Sequence, residues 1–276
     1  MIRGVLLDLD GTVYRGHDEV PGAAQFIATL RAREVKYLFV TNRANRTPVR
    51  ICEHLTTYGI ECGEDDVLTS AQAAVQYLKK GTVFYIGEEG MREALDRAGF
   101  PIVEENPDYV IVSFDRNFNY DALKRACRMI CAGARFVATN ADKCLNTEQG
   151  IVPGTGAIVA AVAAGCGREP LVIGKPEARI FESAMRRLGV SREQTIAVGD
   201  SLATDIPAGH NAGIRTVFMV TGVSTREDLA RSPVQPTWVC DTYDQLTALI
   251  AAESREASSQ SRGHVQSGLT RRTRSV

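Results

Sequence analysis

Four short segments of this chain carry side chains able to do covalent chemistry. The first is Asp8-Leu9-Asp10-Gly11-Thr12. Two aspartates at i and i+2 on an extended segment project to one side. Gly11 permits a sharp turn out of a strand and leaves backbone N–H groups to face an anion. One carboxylate can attack as a nucleophile while the other moves a proton. Both supply hard oxygen ligands suited to Mg²⁺. The second segment, Thr41-Asn42, offers a hydroxyl and an amide. The third, Gly174-Lys175-Pro176, offers an ammonium that can neutralise a phosphate and an attacking carboxylate together. The fourth runs from Gly199-Asp200 to Asp205 and adds two carboxylates. Taken singly, Lys175, Thr41-Asn42 and Gly199-Asp200 are ordinary surface or loop residues. Asp-x-Asp-Gly-Thr is more specific, since at usual residue frequencies it recurs by chance in only about 0.003 of chains this long.

Elements must bring these segments together. Each follows a short apolar run: Gly4 to Leu7, Tyr37 to Val40, Leu171 to Ile173, and Ile196 to Val198. A fifth run, Thr216 to Val220, precedes Thr221-Gly222. Runs this short and continuous predict strands buried on both faces of a parallel sheet. Helical patterns separate them, one opened by Pro21 and one over 177–188 that stops at Gly189. Alternating strand and helix predict a doubly wound α/β core, whose ligands sit beyond the carboxyl ends of the strands.

The stretch between the second and third runs is too long for one crossover. Strand patterns at 83–86, 109–112 and 135–138 alternate with helical patterns at 91–98, 120–132 and 156–164. Residues 80–169 therefore read as an inserted α/β domain between core parts 1–79 and 170–252. The tail, 253–276, is Ser- and Arg-rich, with five Arg and one Glu from Ser254 on, and is expected to be disordered.

The chain has 276 residues, 44% of them hydrophobic and 24% charged, with a net charge of −1. That balance argues against a nucleic-acid partner, and no apolar run approaches the ~20 residues of a membrane span. Asp8 and Asp10 interrupt the first apolar run too early for a signal peptide. Seven cysteines without a CxxC pair read as free thiols of a reducing cytoplasm. Cys127 and Cys131 share a helix face but lack further ligands at zinc spacing. Gly154-x-Gly156 lacks the third glycine of a dinucleotide loop.

In this order the four segments resemble the motifs of the haloacid dehalogenase-like phosphatases, with a Rossmann-like core. The insertion is similar to a C2-type cap. Within it, Ala138-Thr139-Asn140-Ala141-Asp142 and Val152-Pro153-Gly154-Thr155-Gly156 resemble the NagD-type subfamily. The segment Thr41-Asn42-Arg43-Ala44-Asn45 is closer to an arabinose-operon sugar phosphatase than to the common Thr-Asn-Asn-Ser form, and Asn146 stands where proline is common. The resemblance implies that Asp8 becomes an aspartyl-phosphate and that Asp10 protonates the leaving alcohol and then activates water. It implies Mg²⁺ held by Asp8, the Asp10 carbonyl and Asp200. Asp205 supports the metal shell or orients Lys175, while Thr41, Asn42, Gly11 and Lys175 hold phosphoryl oxygens.

The implied function is hydrolysis of a small phosphorylated metabolite. The segment from Asn140 to Gly156 offers amides, hydroxyls, Asp142, Lys143 and Glu148 but few aromatics, which favours sugar phosphates over nucleotides. Arg43 is placed to meet a second anionic group. Nucleotides, pyridoxal phosphate and phosphoglycolate are the alternative substrates, and a catalytically idle binding protein is the alternative class. A homo-oligomer formed through the cap is compatible with this arrangement.

Overall fold

The structure is a computed structural model, and it describes residues 1–147 and 150–253. The expectation of a disordered tail lies outside the described residues beyond 253, as does the expectation for Glu148. The chain opens with β1 (Gly4–Leu7), a small hairpin of β2 (Tyr14–Arg15) and β3 (Asp18–Glu19), α1 (Ala23–Ala32) and β4 (Lys36–Thr41). Next come α2 (Pro48–Thr56), β5 (Val67–Thr69) and α3 (Ser70–Tyr77). A second region holds β6 (Val83–Ile86), α4 (Glu89–Arg97), β7 (Tyr109–Val112), α5 (Tyr120–Cys131) and β8 (Arg135–Ala138). It continues with the hairpin β9 (Cys144–Thr147) and β10 (Gly150–Pro153), α6 (Thr155–Cys166) and β11 (Leu171–Val172). The chain then forms α7 (Ala178–Leu188), β12 (Thr195–Gly199), α8 (Asp205–Asn211), β13 (Arg215–Met219), α9 (Arg226–Arg231) and β14 (Trp238–Cys240). Residues 243–253 are helical.

The main sheet is parallel, in the order β14-β13-β12-β1-β4-β5. Its central strands are continuous apolar runs because both faces are covered. Val5 and Leu7 pack with α1, α2 and the last helix, whereas Leu6 on the other face packs with α7 and α8. The chain leaves β1 to β4 on one side and later returns to β12 on the other. Beyond the carboxyl end of β1 there is thus a crevice at a topological switch point.

The second sheet, also parallel, has the order β11-β8-β7-β6. It corrects one expectation. The third apolar run is not a strand of the main sheet: Leu171 and Val172 pair with Val137 and Ala138. Both are only half-buried, and the pattern of so short a run cannot say which sheet receives it. The second sheet therefore extends past residue 169. Two smaller differences concern ends. Helix α1 starts at Ala23 after a left-handed Gly22, leaving Pro21 outside it. Glu253, assigned to the tail, is helical and pairs with Arg215 at 2.6 Å. Among the described residues, no helix is long and apolar enough to cross a membrane.

Helix α8, which begins with Asp205, is seated through Gly209. A Cβ there would lie 2.2 Å from Cγ2 of Thr216 on β13. Alanine favours a helix over glycine by about 1 kcal/mol, but overpacking a tight contact costs typically 1–3 kcal/mol, so the clash is expected to win. Gly209→Ala should lower the denaturation midpoint; a midpoint at or above wild type would show that α8 can lift without cost.

Candidate active site

Three of the four segments converge directly beyond the carboxyl ends of neighbouring strands. Asp8 follows β1, Asp200 follows β12, and Thr41 ends β4. Lys175 arrives from the second sheet, just after β11. Its ammonium is buried and donates to Asp8, to Asp205 Oδ1 at 2.7 Å and to the Val40 carbonyl at 3.2 Å. This contact lets Asp205 orient Lys175, and its carboxylate also lies in the cluster with Asp8 and Asp200. Its other oxygen accepts the Ser201 N–H at 3.0 Å. Gly199 is required beneath it, since a Cβ there would lie 2.3 Å from the Asp205 carboxyl carbon.

Asp200 is fixed from two sides. Its Oδ1 accepts the Thr12 hydroxyl at 3.1 Å and its Oδ2 accepts the Val223 N–H at 2.6 Å. Gly11 adopts a left-handed φ of 86°, and a Cβ there would stand 2.3 Å from Asp200 Oδ2. The glycine is therefore explained by turn and close approach together. Its anion-binding role is not: the Gly11 N–H donates to the Tyr14 carbonyl at 2.7 Å, and the Thr12 N–H to Leu9. The tight turn that brings Tyr14 back to Leu9 consumes these donors.

Asp10 meets different partners from Asp8. Its carboxylate pairs with Arg43 Nη2 at 2.8 Å and accepts weakly from the Tyr14 hydroxyl at 3.5 Å. Arg43 is thus engaged inside the site rather than left for a second anionic group. Burial, with Asp10 next, pushes the Tyr14 phenol well above its ordinary value, so it remains a donor. Thr41 accepts the Arg43 N–H at 3.0 Å, which leaves its own hydroxyl proton available.

The remaining substrate candidates are tied inward. The Asn42 side chain accepts the Lys175 N–H at 2.8 Å and donates at 2.8 Å to both the Lys175 carbonyl and Asp142. Asn140 is only 3% exposed and donates its amide to Asp142. Asn140 and Asp142, expected to face substrate, instead brace the segment that delivers Lys175. Thr12, Tyr14 and Val223 hold the carboxylates through contacts that no sequence pattern signals. Thr12 lay within the first motif, but no local pattern announces a bond across 188 residues.

The electrostatics are those of a site short of positive charge. Carboxylate oxygens of Asp8, Asp200 and Asp205 lie within 4.8 Å of one another, and the one ammonium among them pairs with Asp8 and Asp205. Burial pushes the Lys175 ammonium down, but Asp205 and Asp8 more than reverse that and hold it well above its ordinary value. Burial raises Asp8 strongly; Lys175 pulls it down, and Asp205 and Asp200 push it up again. Burial and Asp205 push Asp200 up to about 6, against Val223, Thr12 and Lys175. Clustered hard oxygens with unmet negative charge fit a divalent cation. The carboxylates of Asp8, Asp200 and Asp205 form that cluster, in which Asp205 also bonds Lys175 and the Ser201 N–H.

Comparison with known proteins places this geometry. Residues 5–101 match a family model described as haloacid dehalogenase-like hydrolase, and residues 172–246 match a second, HAD-hydrolase-like model. The chain is 41% identical over 252 residues to the 5'-nucleotidase YutF of Bacillus subtilis, covering 90% of this chain and 98% of that protein. It is 40% identical to an acid sugar phosphatase of Staphylococcus epidermidis, covering 89% and 96%. Among solved structures, a double mutant of the thermostable NPPase from Geobacillus stearothermophilus superposes with a TM-score of 0.83 at 38% identity, covering 88% and 97%. NagD from Escherichia coli K-12 superposes with the same score at 33% identity, covering 88% and 97%.

The raised Asp200 carboxyl has a measurable consequence without metal. An acid whose native pKa lies above its unfolded value of 3.8 favours the fold fully below that value, and that contribution is lost as pH rises through about 6. Chelator-treated protein should therefore lose stability across that window, by on the order of 1–3 kcal/mol from Asp200. Asp200→Asn can still accept from Val223 while its amide donates to the Thr12 oxygen. It should melt above wild type in chelator at neutral pH and gain nothing from added Mg²⁺. A variant that melts lower in chelator would contradict the charge deficit.

Proposed function

From the premise that the chain belongs to the haloacid dehalogenase-like hydrolases, in their NagD-like group, and is a phosphoric monoester hydrolase, we propose that it is Mg²⁺-dependent and acts on small sugar phosphates. The observation that carries the mechanism is the buried Lys175 ammonium shared between Asp8 and Asp205, with the second Asp8 oxygen accepting no hydrogen bond among the described residues.

Asp8 attacks phosphorus, the P–O bond to the alcohol breaks, and the phosphoryl group passes to the carboxylate. Asp10 gives a proton to the departing alkoxide. It then takes one from the water that attacks the aspartyl-phosphate, which releases phosphate and restores Asp8. Lys175 offsets charge on the phosphoryl oxygens, which spread negative charge in the transition state. Thr41 donates its hydroxyl to the same group. Asp8, Asp200 and the Asp10 carbonyl would hold Mg²⁺, which supplies the cationic charge these carboxylates lack. The second sheet and its helices are read as a cap that confines the alcohol.

Asp8→Asn is expected to reduce phosphate release at least ~10³-fold, more than about 4 kcal/mol of barrier, because an amide is no nucleophile. A variant that kept wild-type turnover would overturn the assignment. Asp10→Asn should fail on alkyl phosphates yet still be phosphorylated by p-nitrophenyl phosphate, whose leaving group needs no proton. Equal loss on both esters would remove Asp10 from the proton-transfer role.

The identity to a 5'-nucleotidase keeps nucleotides as the second reading. The comparison is kcat/KM for a hexose phosphate against a nucleoside monophosphate. A nucleotide preference of ~100-fold, about 2.7 kcal/mol, would set sugars aside and leave the phosphatase reading intact.

A further inference from the structure

With Asn140 and Asp142 turned inward, the side chains that meet the alcohol must be sought elsewhere. A cleft of about 1110 Å³ separates α2 and the loop before it from the carboxyl ends of β6 and β7. Asn45, Arg46 and His54 line one wall; Glu88, Asp115 and Asn117 line the other. Two ties link its first wall to Asp10. Arg43, paired with Asp10, is two residues before Asn45. The His54 ring stands edge-on, 4.8 Å from the ring of Tyr14, whose hydroxyl donates to Asp10. A residue that protonates the leaving oxygen must face the leaving group, so the cleft beside Asp10 is where that group can go.

Some charges of the cleft already have partners. Glu88 pairs with Arg116 and accepts from the Asn45 amide, and Arg50 pairs with Glu53. Others do not. Among the described residues the Arg46 guanidinium has no hydrogen bond or ion pair, nor has the Asn117 amide group. Only one Asp115 oxygen is engaged, by the Asn117 N–H at 2.8 Å. Beneath this wall is an orphan. The Ser113 hydroxyl is fully buried and unpartnered, and Ser113 sits against Gly87, where a Cβ would lie 3.1 Å from its own. A buried hydroxyl without a partner costs roughly 1–3 kcal/mol, so an unmet polar group lies directly behind the lining residue Gly87.

We infer that this cleft binds the leaving group, and that Arg46, Asp115 and Asn117 select a polyhydroxylated alcohol. Resting on the phosphatase reading above, the assignment adds the residues that discriminate. Unmatched donors and acceptors on facing walls suit vicinal hydroxyls, each of which donates and accepts. A nucleobase needs an apolar face to stack on, and His54 is the one ring among the lining residues.

The test uses the full chain with Mg²⁺ and measures kcat/KM for a hexose phosphate and for p-nitrophenyl phosphate, in wild type, Arg46→Ala and Asn117→Ala. Both side chains are exposed, so folding should survive, and melting curves check it. The expected result is a loss on the sugar phosphate at least 10-fold greater than on the nitrophenyl ester. Equal losses on both esters, or a hexose phosphate value within two-fold of wild type, would overturn the cleft assignment alone. Wild-type protein that hydrolysed neither ester would overturn the phosphatase reading and this assignment with it.

Discussion

The site depends on one buried ammonium. Lys175 is 3% exposed, and no lysine remains charged at that depth without compensation. Asp205 and Asp8 provide it, and in doing so they fix where three elements end. Helix α8 must begin at Asp205, β1 must stop at Leu7, and the chain leaving β11 must turn at Gly174. The turn is held by Asn42, and a Cβ at Gly174 would lie 2.4 Å from Asn42 Oδ1. The second sheet therefore contributes a residue to the crevice of the first, and the 42–46 loop is the joint between them.

The same loop joins the sheets a second time. The Gly90 N–H donates to the Asn45 carbonyl, and a Cβ at Gly90 would lie 2.5 Å from the Arg46 carbonyl oxygen. Helix α4 thus rests on backbone, with no side chain between. Its apolar residues Met91 and Leu95 continue a core cluster that also contains Ala71, Ala74 and Ile180 of the main body. Polar contacts at Asn42 and Asn45 and a shared apolar seam join the two sheets.

Much of this was legible in the residue pattern, and the exceptions share a cause. The buried central strands and the carboxylates at their ends follow from runs such as Val5-Leu6-Leu7 followed by Asp8, because periodicity is local. Leu171-Val172 was legible as a strand but not as a strand of the second sheet, since pairing is not encoded in a two-residue run. Gly11 was legible as a turn; that its N–H would be spent on Tyr14 was not. Asn140 and Asp142 read as substrate contacts, and only the three-dimensional neighbourhood shows Asn140 bonded to Asp142 and Asp142 to Asn42. What escaped was the partner of each polar group, and several of those partners lie far away in sequence, as Asp200 does from Thr12.

The longest of these ties has a bearing on unfolding. The Tyr243 hydroxyl donates to the Thr12 carbonyl across 231 residues, and Tyr243 packs against Phe26 of α1. Thr12 in turn donates its hydroxyl to Asp200 across 188 residues. The turn after β1, which carries Asp8 and Asp10, thus leans on two segments remote from it in sequence. Fraying of the helix over 243–253 removes a support of that turn, although none of its residues belongs to the crevice itself.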